Sequence, residues 1–360
     1  MSAPAASRRI AGWELHGVRM RFQSNSDEAI RYVRAHLAAS DSAPDAPDMD
    51  VTLNWHWGRH PAVRPSAPGE RIGKDLVEKD GRILWSRVPG FEGLAMEAGP
   101  GDSGLTLTST CGYAPRDAFA KMRYLRSGRR DRKTHKTFFK LLYYTAYYPM
   151  IWHLARTRGW GLLHASAVEL AGRAVILAGH GGVGKSTLSL SLMADPSFRF
   201  ISDNLLLHDE TSVYSLPEPV RLDASSLRAI RAAGFEPSHS EVPLTAHSKP
   251  TYWVAGARAS RGAEAGVVIL LRFTPRPLLR PLSPAEVKAH LAAARDLARE
   301  VEGYRTVSAF LSMSIPDDSD NPVPHAPLAS LATRMQGYVL GIGDGEPVPT
   351  TLARIREVCG

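Results

Sequence analysis

Residues 179–187 read GHGGVGKST and match the pattern G-x-x-x-x-G-K-[ST] of a phosphate-binding loop. An apolar run at 173–178 precedes the loop and is typical of a buried strand, while residues 186–193 have the pattern of a helix start. This order of strand, glycine-rich loop and helix predicts an α/β fold around the loop. It also predicts that the chain binds a nucleoside triphosphate.

The residue types of the loop suit phosphate binding. Glycines adopt backbone dihedrals closed to other residues, so amide hydrogens can approach phosphate oxygens, and the next helix directs its positive dipole end at the same anion. Lys185 adds a mobile cation, and the Ser186 hydroxyl is the expected Mg²⁺ ligand. ATP and Mg²⁺ are therefore the predicted cofactors. The predicted nucleotide-binding residues are Gly179, His180, Gly181, Gly182, Val183, Gly184, Lys185, Ser186 and Thr187.

The acid that follows the loop separates this chain from switch GTPases and from many motor ATPases. Those proteins place their metal-binding acid after a later strand, but the later apolar run at 266–271 ends in Arg272 and Phe273. Here a shorter run at 198–202 ends in Asp203, a helix length beyond the loop. We therefore expect Asp203 to lie near the bound phosphates.

Three segments together resemble the catalytic domain of HPr kinase/phosphorylase and its HPr-kinase-like relatives. They are residues 162–167 (LLHASA), the strand and loop that begin at residue 175, and residues 201–203 (ISD). The resemblance covers residues 160–275. It implies a P-loop kinase core related to phosphoenolpyruvate carboxykinase rather than to Ras-like proteins, and an enzyme that phosphorylates a serine hydroxyl.

The resemblance assigns the active-site positions of that family to His164, Lys185, Ser186 and Asp203. It implies that Lys185 and Ser186 cover the phosphates with Mg²⁺, and that Asp203 either accepts the proton of the acceptor hydroxyl or binds the metal through water. A packed, hydrogen-bonded residue is the alternative for His164. The family usually has a second Asp where this chain has Asn204, so the reverse phosphorolysis of some members is not implied.

The segment 214–223 resembles the part of such kinases that supplies a further carboxylate to the metal site, and Glu218 is the candidate. Because Glu218 stands between two prolines, a solvated turn acid is an equal alternative. Lys249 and Arg221 are further candidate cations near the acceptor or the γ-phosphate, with ordinary surface positions as the alternative. The predicted metal ligands are Ser186, Asp203 and Glu218.

At 360 residues and 44% hydrophobic content, the chain is long enough for two folded domains. We predict a smaller α+β accessory or recognition domain at 1–120, a basic and helical connector at 121–158, and the kinase domain at 159–360. Cys111 and Cys359 are the only cysteines, so no disulfide framework or zinc-site spacing is present. A reducing cytoplasm suits this composition.

Periodic patterns outside the loop region predict further elements. The apolar stretch 138–155 is interrupted by Lys140, Pro149 and His153, so we expect core helices there and no membrane span. Ser283 caps a helix expected to run on through residue 302. The N-terminal predictions are a strand at 13–22, a helix at 26–37, a linker at 40–48, and strands at 51–57, 82–85 and 104–108 of a small sheet.

The densest positive charge lies between the two predicted domains, in a chain of net charge +8. A solvated basic loop is the favoured interpretation. Nucleic-acid binding is disfavoured because no recognised nucleic-acid module accompanies the run, and docking of an acidic acceptor is a third interpretation. The basic residues are Lys121, Arg123, Arg126, Arg129, Arg130, Arg132, Lys133, Lys136 and Lys140.

The predicted function is that of an ATP-dependent kinase that transfers the γ-phosphate to a hydroxyl, with a serine of a protein or peptide as the leading acceptor. A small-molecule hydroxyl remains an alternative because the loop carries no information on the acceptor. A nucleotide-binding switch or scaffold with slow hydrolysis is the other alternative. Carboxykinase chemistry is disfavoured, since its further metal and carboxylate ligands are not visible, and a homo-oligomer stays open.

Overall fold

The computed structural model describes residues 9–37, 39–42, 44–57, 69–91, 93–102, 104–113, 122, 132–239, 249–254, 256–315 and 328–360. These residues form a mixed α/β structure with several sheets. They divide into two compact units. The first contains the described residues from 9 to 152 together with 304–315, and the second contains those of 153–239, 249–303 and 328–360.

The first unit is built on an eight-stranded sheet with the order β1-β2-β3-β8-β7-β6-β5-β4. Strands β2, β3 and β8 run parallel, and the remaining neighbours are antiparallel. Its strands are β1 (Arg9–Leu15), β2 (Val18–Ser24), β3 (Met49–Trp57), β4 (Glu70–Arg71), β5 (Leu76–Lys79), β6 (Arg82–Trp85), β7 (Leu94–Gly101) and β8 (Gly104–Tyr113).

The prediction of one strand over 13–22 is wrong, because the chain reverses direction inside that range. His16 and Gly17 both have positive φ, 50° and 77°, and Leu15 pairs with Val18. Two central residues with positive φ are the signature of a tight hairpin turn, so the segment forms β1 and β2. The predicted small sheet is thus larger than expected, with its strands near 51–57, 82–85 and 104–108 in place.

The helices of the first unit begin with α1 (Asp27–Leu37), which the hydroxyl of Ser26 caps by accepting a hydrogen bond from the Ala29 amide at 3.2 Å. The stretch predicted as core helices is helical throughout and buried from Leu141 to Trp152. Its successive segments are α2 (Arg132–Leu142), a π-helical turn (Tyr143–Tyr147) and α3 (Tyr148–Arg158), whose residues from His153 onward belong to the second unit.

Within the described residues, no helix has the length and apolar character that a membrane crossing requires. Of the predicted basic run, Lys136 is exposed, and Lys140 donates a hydrogen bond to the Gly90 carbonyl. Outside the described residues or side chains lie Lys121, Arg123, Arg126, Arg129, Arg130, Arg132 and Lys133.

The second unit contains a nine-stranded sheet with the order β12-β10-β11-β18-β14-β13-β9, in which β20 pairs with β18 and β19. A separate three-stranded sheet has the order β15-β17-β16. The strands are β9 (Gly161–Leu163), β10 (Ser166–Leu170), β11 (Arg173–Ala178), β12 (Phe198–Ser202), β13 (Leu206–His208), β14 (Ser212–Ser215), β15 (Val220–Arg221), β16 (Ser238–His239), β17 (Thr251–Trp253), β18 (Gly262–Thr274), β19 (Leu278–Leu282) and β20 (Gln336–Gly343).

Helices cover both faces of the nine-stranded sheet, because its central strands are apolar on both sides. Val175 and Leu177 of β11 belong to one core cluster, and Ala174 and Ile176 belong to another. Such two-sided burial is typical of parallel strands flanked by helices. The helices of this unit are α4 (Lys185–Leu192), α5 (Ala224–Ala232), α6 (Pro284–Asp296), α8 (Leu328–Thr333) and α9 (Val348–Cys359). Helix α7 (Arg299–Ser314) begins in this unit, and its residues from Tyr304 onward belong to the first unit.

The single helix predicted from the Ser283 cap through residue 302 is two helices in the structure. The cap itself is present, since Ser283 and Glu286 form a reciprocal capping box at the start of α6. Helix α6 then ends at Asp296, and α7 begins at Arg299. Helical apolar spacing continues across the break, so the pattern alone could not locate it.

Candidate nucleotide-binding site

Three neighbouring strands bring the predicted site residues to one edge of the nine-stranded sheet. Strand β10 is antiparallel to both β11 and β12, so β11 and β12 run in the same direction. Their carboxyl ends therefore lie at the same edge, where β11 leads into the phosphate loop and β12 leads into Asp203. Strand β10 starts at this edge with Ser166, two residues after His164. Ligands of open α/β sheets bind at such carboxyl ends.

The loop has the backbone that its glycines predict. Gly179, Gly182 and Gly184 have φ values of 138°, 83° and 96°, a region that other residues rarely adopt. A Cβ atom at Gly179 would lie 2.6 Å from the Leu271 carbonyl oxygen of β18, whereas one at Gly181 or Gly182 would meet no atom within 4 Å. The loop is therefore packed at its first residue and open in its middle, as a phosphate cradle requires.

Side chains of the loop divide into anchors and exposed groups. Val183 is buried in the core cluster that also contains Leu188 of α4. His180 is exposed, and Thr187 is half-buried at the start of α4. The predicted contribution of Val183 to a ligand is therefore limited to its backbone, since its side chain holds the loop against the core.

Lys185 is folded back over the loop. Its side chain is only 8% exposed, and its amino group donates hydrogen bonds to the carbonyls of Gly179 at 2.8 Å and His180 at 3.0 Å. Burial lowers the pKa of Lys185, while the charges of Asp203 and Glu300 oppose this shift. An ammonium group that is held by neutral carbonyls and costly to bury is ready to pair with an anion.

Ser186 and Asp203 are in direct contact. The Ser186 hydroxyl lies 2.9 Å from both carboxylate oxygens of Asp203 and donates its hydrogen bond to that carboxylate. Asp203 is buried and Ser186 is half-buried. The contact puts two hard oxygen ligands side by side at the first turn of α4, which is the donor chemistry that Mg²⁺ prefers.

A chain of buried hydroxyl groups connects α4 to the end of β12. Ser189 donates to the Ser186 carbonyl at 3.2 Å, and Ser166 donates to the Ser189 hydroxyl at 2.7 Å and lies 3.3 Å from the Ser202 carbonyl. The Ser202 hydroxyl in turn contacts the carbonyls of Leu205 and Leu216 at 2.7 and 2.9 Å. This serine network, Ser166, Ser189 and Ser202, joins the two segments that carry Ser186 and Asp203.

His164 lies between β9 and β10 and not within a strand. Burial and the nearby charge of Lys185 lower its pKa, and the charges of Glu300 and Asp203 with a hydrogen bond to the Asn204 backbone oppose this. Within the described residues its Nδ1 atom is buried and has no hydrogen-bond partner. The geometry therefore fits both a neutral site residue and the packed residue that was its alternative.

Asn204 occupies a conformation that restricts its replacement. Its φ is 70°, in the left-handed region that Asn adopts more readily than most residues, and its side chain is buried. The amide of Leu205 donates to the Asp203 carbonyl at 2.9 Å, so the chain turns sharply after Asp203.

Glu218 is 6% exposed, so its alternative interpretation as a solvated turn acid is wrong. Its segment is tied to the end of β12, because the Leu216 amide lies 3.3 Å from the Ser202 hydroxyl. The Ser186–Asp203 contact forms without Glu218. Within the described residues, no group of three or more His, Cys, Asp or Glu side chains is arranged to hold a metal ion.

The structure adds Glu300 to the predicted set. Glu300 lies in the first turn of α7, 3.8 Å from the Arg221 guanidinium, and its charge acts on both Lys185 and His164. Sequence reasoning missed it because only the folded chain brings α7 to the loop. Arg221 is half-buried and pairs with Glu300, so it is not an ordinary surface residue, whereas Lys249 pairs with Asp223 at 3.0 Å.

A cavity of about 800 Å³ in the second unit lies at the other edge of the same sheet. It is lined by the ends and starts of strands around Leu170, Arg173 and Gln336, together with the C-terminal residues Cys359 and Gly360. None of the predicted site residues lines it. The loop and its contacts therefore lie at the opposite, open edge of the sheet and not in this cavity.

Comparisons with known proteins give limited information. No protein-family model matches the chain, and no curated protein matches it. Among solved structures, the chain is similar to the HPr(Ser) kinase/phosphatase from Coxiella burnetii, with 11% sequence identity over 55% of this chain and 96% of that chain, and a TM-score of 0.23. A similarity of this size carries no functional argument.

Proposed function

We propose that this chain is an ATP-dependent kinase that transfers the γ-phosphate to a hydroxyl group, on a P-loop core of the HPr kinase and phosphoenolpyruvate carboxykinase type. The observation that carries the proposal is the contact between Ser186 and Asp203 beside an open glycine loop. A phosphate-binding loop alone would fit any nucleotide-binding protein. The buried acid against its serine adds a group that can bind metal or take a proton.

The loop supplies charge neutralisation and positioning. Phosphoryl transfer passes through a loose transition state, so a protein catalyses it mainly by fixing geometry and stabilising charge. We propose that the Lys185 amino group exchanges the Gly179 and His180 carbonyls for phosphate oxygens, and that the amides of Gly181 to Gly184 donate to the same phosphates.

Ser186, Asp203 and Glu218 are the proposed metal-binding residues. A bound Mg²⁺ would neutralise charge on the phosphates. The residues fit this ion to the extent that a hydroxyl and a carboxylate already lie together, and Mg²⁺ commonly keeps several water ligands and few protein ligands. Glu218 is buried on the segment that Leu216 ties to the end of β12, and it is the third proposed ligand.

Asp203 is also the proposed group that accepts or orients the acceptor proton, and His164 is the proposed neutral neighbour that positions it. The loss of a second acid at Asn204 confines the proposal to the forward transfer. We propose a serine of a protein or peptide as the leading acceptor and a small-molecule hydroxyl as the alternative. A nucleotide-binding switch with slow hydrolysis is the second candidate function, because a loop with a serine and an acid side by side also suits nucleotide and metal binding without transfer.

Transfer from γ-labelled ATP tests the proposal. Asp203→Asn is nearly isosteric and keeps one oxygen for the Ser186 hydroxyl, so we expect ATP binding to persist while transfer falls about 100-fold. Asp80→Asn, an exposed acid in the β5–β6 turn, is the matched control and should transfer normally. Release of phosphate without a labelled acceptor would favour the switch, and normal transfer by Asp203→Asn would reject the assigned role.

A further inference from the structure

An aromatic side chain is exposed beside the phosphate loop. Phe273 lies near the end of β18 and is 66% exposed, while Leu271, two residues earlier on the same strand, is 3% exposed. Single exposed apolar side chains are common on protein surfaces and need no explanation by themselves. Phe273 differs from such residues because it lies beside the loop.

The loop begins beside the last residues of β18. Strands β11 and β18 are parallel, and Ala178, the last residue of β11, pairs with Leu270. At the next step Gly179 packs so closely on Leu271 that a Cβ atom would lie 2.6 Å from the Leu271 carbonyl oxygen. Strand β18 continues past this point to Phe273, so Phe273 extends beyond the edge at which the loop begins.

Phe273 also lies on the face of the sheet that carries the phosphate-binding helix. Successive residues of a strand face opposite sides, so Phe273 shares a side with Leu271 and Ile269. Both of these residues belong to the core cluster that contains Leu188 of α4 and Val183 of the loop. The aromatic ring is therefore on the side of the sheet from which α4 directs its N-terminus at the loop.

The backbone under Phe273 is held in place. Phe273 pairs with Ile342 and Thr274 pairs with Gly343 in the parallel ladder between β18 and β20. The Thr274 hydroxyl then donates to the Arg276 carbonyl at 2.7 Å, which fixes the turn after the strand. A ring on such a backbone is a preformed surface, and its binding of a flat ligand does not require a disordered loop to become ordered.

We infer that Phe273 is the platform on which the base of the bound nucleotide stacks. The inference rests on the proposed function, because the loop must hold a nucleoside triphosphate for its base to reach the platform. The α-phosphate and the ribose separate the base from the loop, so the platform must lie beside the loop and not within it. Aromatic faces stack on every base, and a larger purine ring offers more contact than a pyrimidine.

Calorimetric titration with two probes separates base stacking from phosphate binding. Mg·ATP carries both a base and phosphates, and Mg·tripolyphosphate carries only phosphates. We expect Phe273→Ala to weaken ATP binding about tenfold, the effect of losing one stacked base, and to leave tripolyphosphate binding unchanged. Phe273→Trp should bind ATP at least as tightly as the wild type, since it keeps an aromatic face.

Leu297→Ala provides the matched control, because Leu297 is a large apolar residue of the same unit with the same 66% exposure. It should bind both probes as the wild type does. Equal ATP affinity of Phe273→Ala and the wild type, or an equal loss for both probes, would overturn the stacking role and leave the proposed function in place. If the wild type bound neither probe, the proposed function would be rejected, and the inference with it.

Discussion

Lys185 shows how a single residue can be poised for a ligand at the expense of the ligand-free fold. Its ammonium group is buried, and its partners are the neutral carbonyls of Gly179 and His180. Burial lowers its pKa, so the charged form is less favourable in the folded chain than in the unfolded chain. The charges of Asp203 and Glu300 oppose this shift only in part, and a bound triphosphate would add negative charge at the ammonium group.

The Lys185→Met variant should therefore separate stability from binding. Because it removes a charge that is costly to bury, we expect it to unfold at a temperature no lower than the ligand-free wild type. ATP at a saturating concentration should raise the unfolding temperature of the wild type but not that of the variant. Circular dichroism with and without Mg·ATP measures both effects. An unfolding temperature of the variant that rises with ATP as much as the wild type's would contradict the role of Lys185.

The lowered pKa of His164 makes the stability of the folded chain depend on pH. Its pKa lies below the ordinary value of 6.5, so the unfolded chain takes up a proton before the folded chain as the pH falls. The stability present above pH 6.5 should be lost as the pH falls through the lowered pKa. Buried His208, whose pKa is also lowered, contributes in the same direction.

Replacement of His164 by Gln should remove part of this dependence. We expect the difference in unfolding free energy between pH of about 7.5 and about 5.5 to be smaller in His164→Gln than in the wild type. Urea denaturation at the two pH values measures it, and His56→Gln, at a residue whose side chain is exposed, is the control. An unchanged difference would show that His164 is not buried in its neutral form.

At the scale of elements, the serine network explains how two segments hold one contact. Ser189 on α4 and Ser166 on β10 form a hydrogen bond at 2.7 Å, and their further contacts reach the Ser186 and Ser202 carbonyls. All the hydroxyl-bearing residues of the network are buried. They connect the helix that carries Ser186 to the strand end that carries Asp203.

Alanine substitutions test this connection. Ser166→Ala and Ser189→Ala should each lower the unfolding free energy by about 1–2 kcal/mol, and the double variant should lose less than the sum, since the two hydroxyls bond to each other. If the network positions Asp203, both variants should also need more Mg²⁺ for half-maximal transfer. Ser189→Thr, which keeps a hydroxyl, should need the same Mg²⁺ concentration as the wild type.

Ser191→Ala is the control for this series. Ser191 is buried on the same helix, and within the described residues its hydroxyl has no hydrogen-bond partner. Its removal should therefore be neutral or stabilising, with no effect on the Mg²⁺ requirement. A Ser191→Ala variant as sensitive to Mg²⁺ as Ser166→Ala would show that the helix as a whole, and not the network, sets the contact.

The elements that could be predicted from the sequence are those whose signal is local. The strand at 173–178 and the Ser283 cap are confirmed because apolar runs and capping residues act over a few positions. The hairpin at residues 16–17 and the break after Asp296 were missed, since one depends on turn geometry and the other interrupts no pattern. The hairpin could have been predicted from His16 and Gly17, because this pair is a weak form of the hairpin turn signal.

The candidate site was predictable only in part, for the same reason. The loop, Ser186 and Asp203 could be named from residue type and order, and their contact needed only that β11 and β12 run in the same direction. Glu300 and the serine network could not be named from the sequence, because their contacts join segments that are distant in the chain. A buried serine at the start of a strand also has no sequence signature.

At the scale of the whole molecule, the described chain consists of two compact units, and the loop with its contacts belongs to one of them. Ligand binding stabilises the state that binds, by about 2.7 kcal/mol when the free ligand is at 100 times the dissociation constant. That stabilisation should be concentrated around the groups that the ligand orders.

Hydrogen exchange followed by mass spectrometry makes this prediction specific. Mg·ATP should slow exchange in peptides that cover the loop, α4 and the end of β12, while peptides from β3 and β8 of the first unit should exchange as before. The Lys185→Met variant, exposed to the same nucleotide, serves as the control. Equal protection across both units would mean that the nucleotide acts on the molecule as a whole.

The close packing of Gly179 against β18 has a consequence for how the loop can vary. A side chain at 179 meets a backbone oxygen and an unfavourable φ together, so no rearrangement of neighbouring side chains can relieve it. Gly181 has no such conflict, since space is open around it and it is absent from the positive-φ positions. In a library of single substitutions, the amount of folded protein should fall at 179, whereas intolerance at 181 should appear only when nucleotide capture is selected.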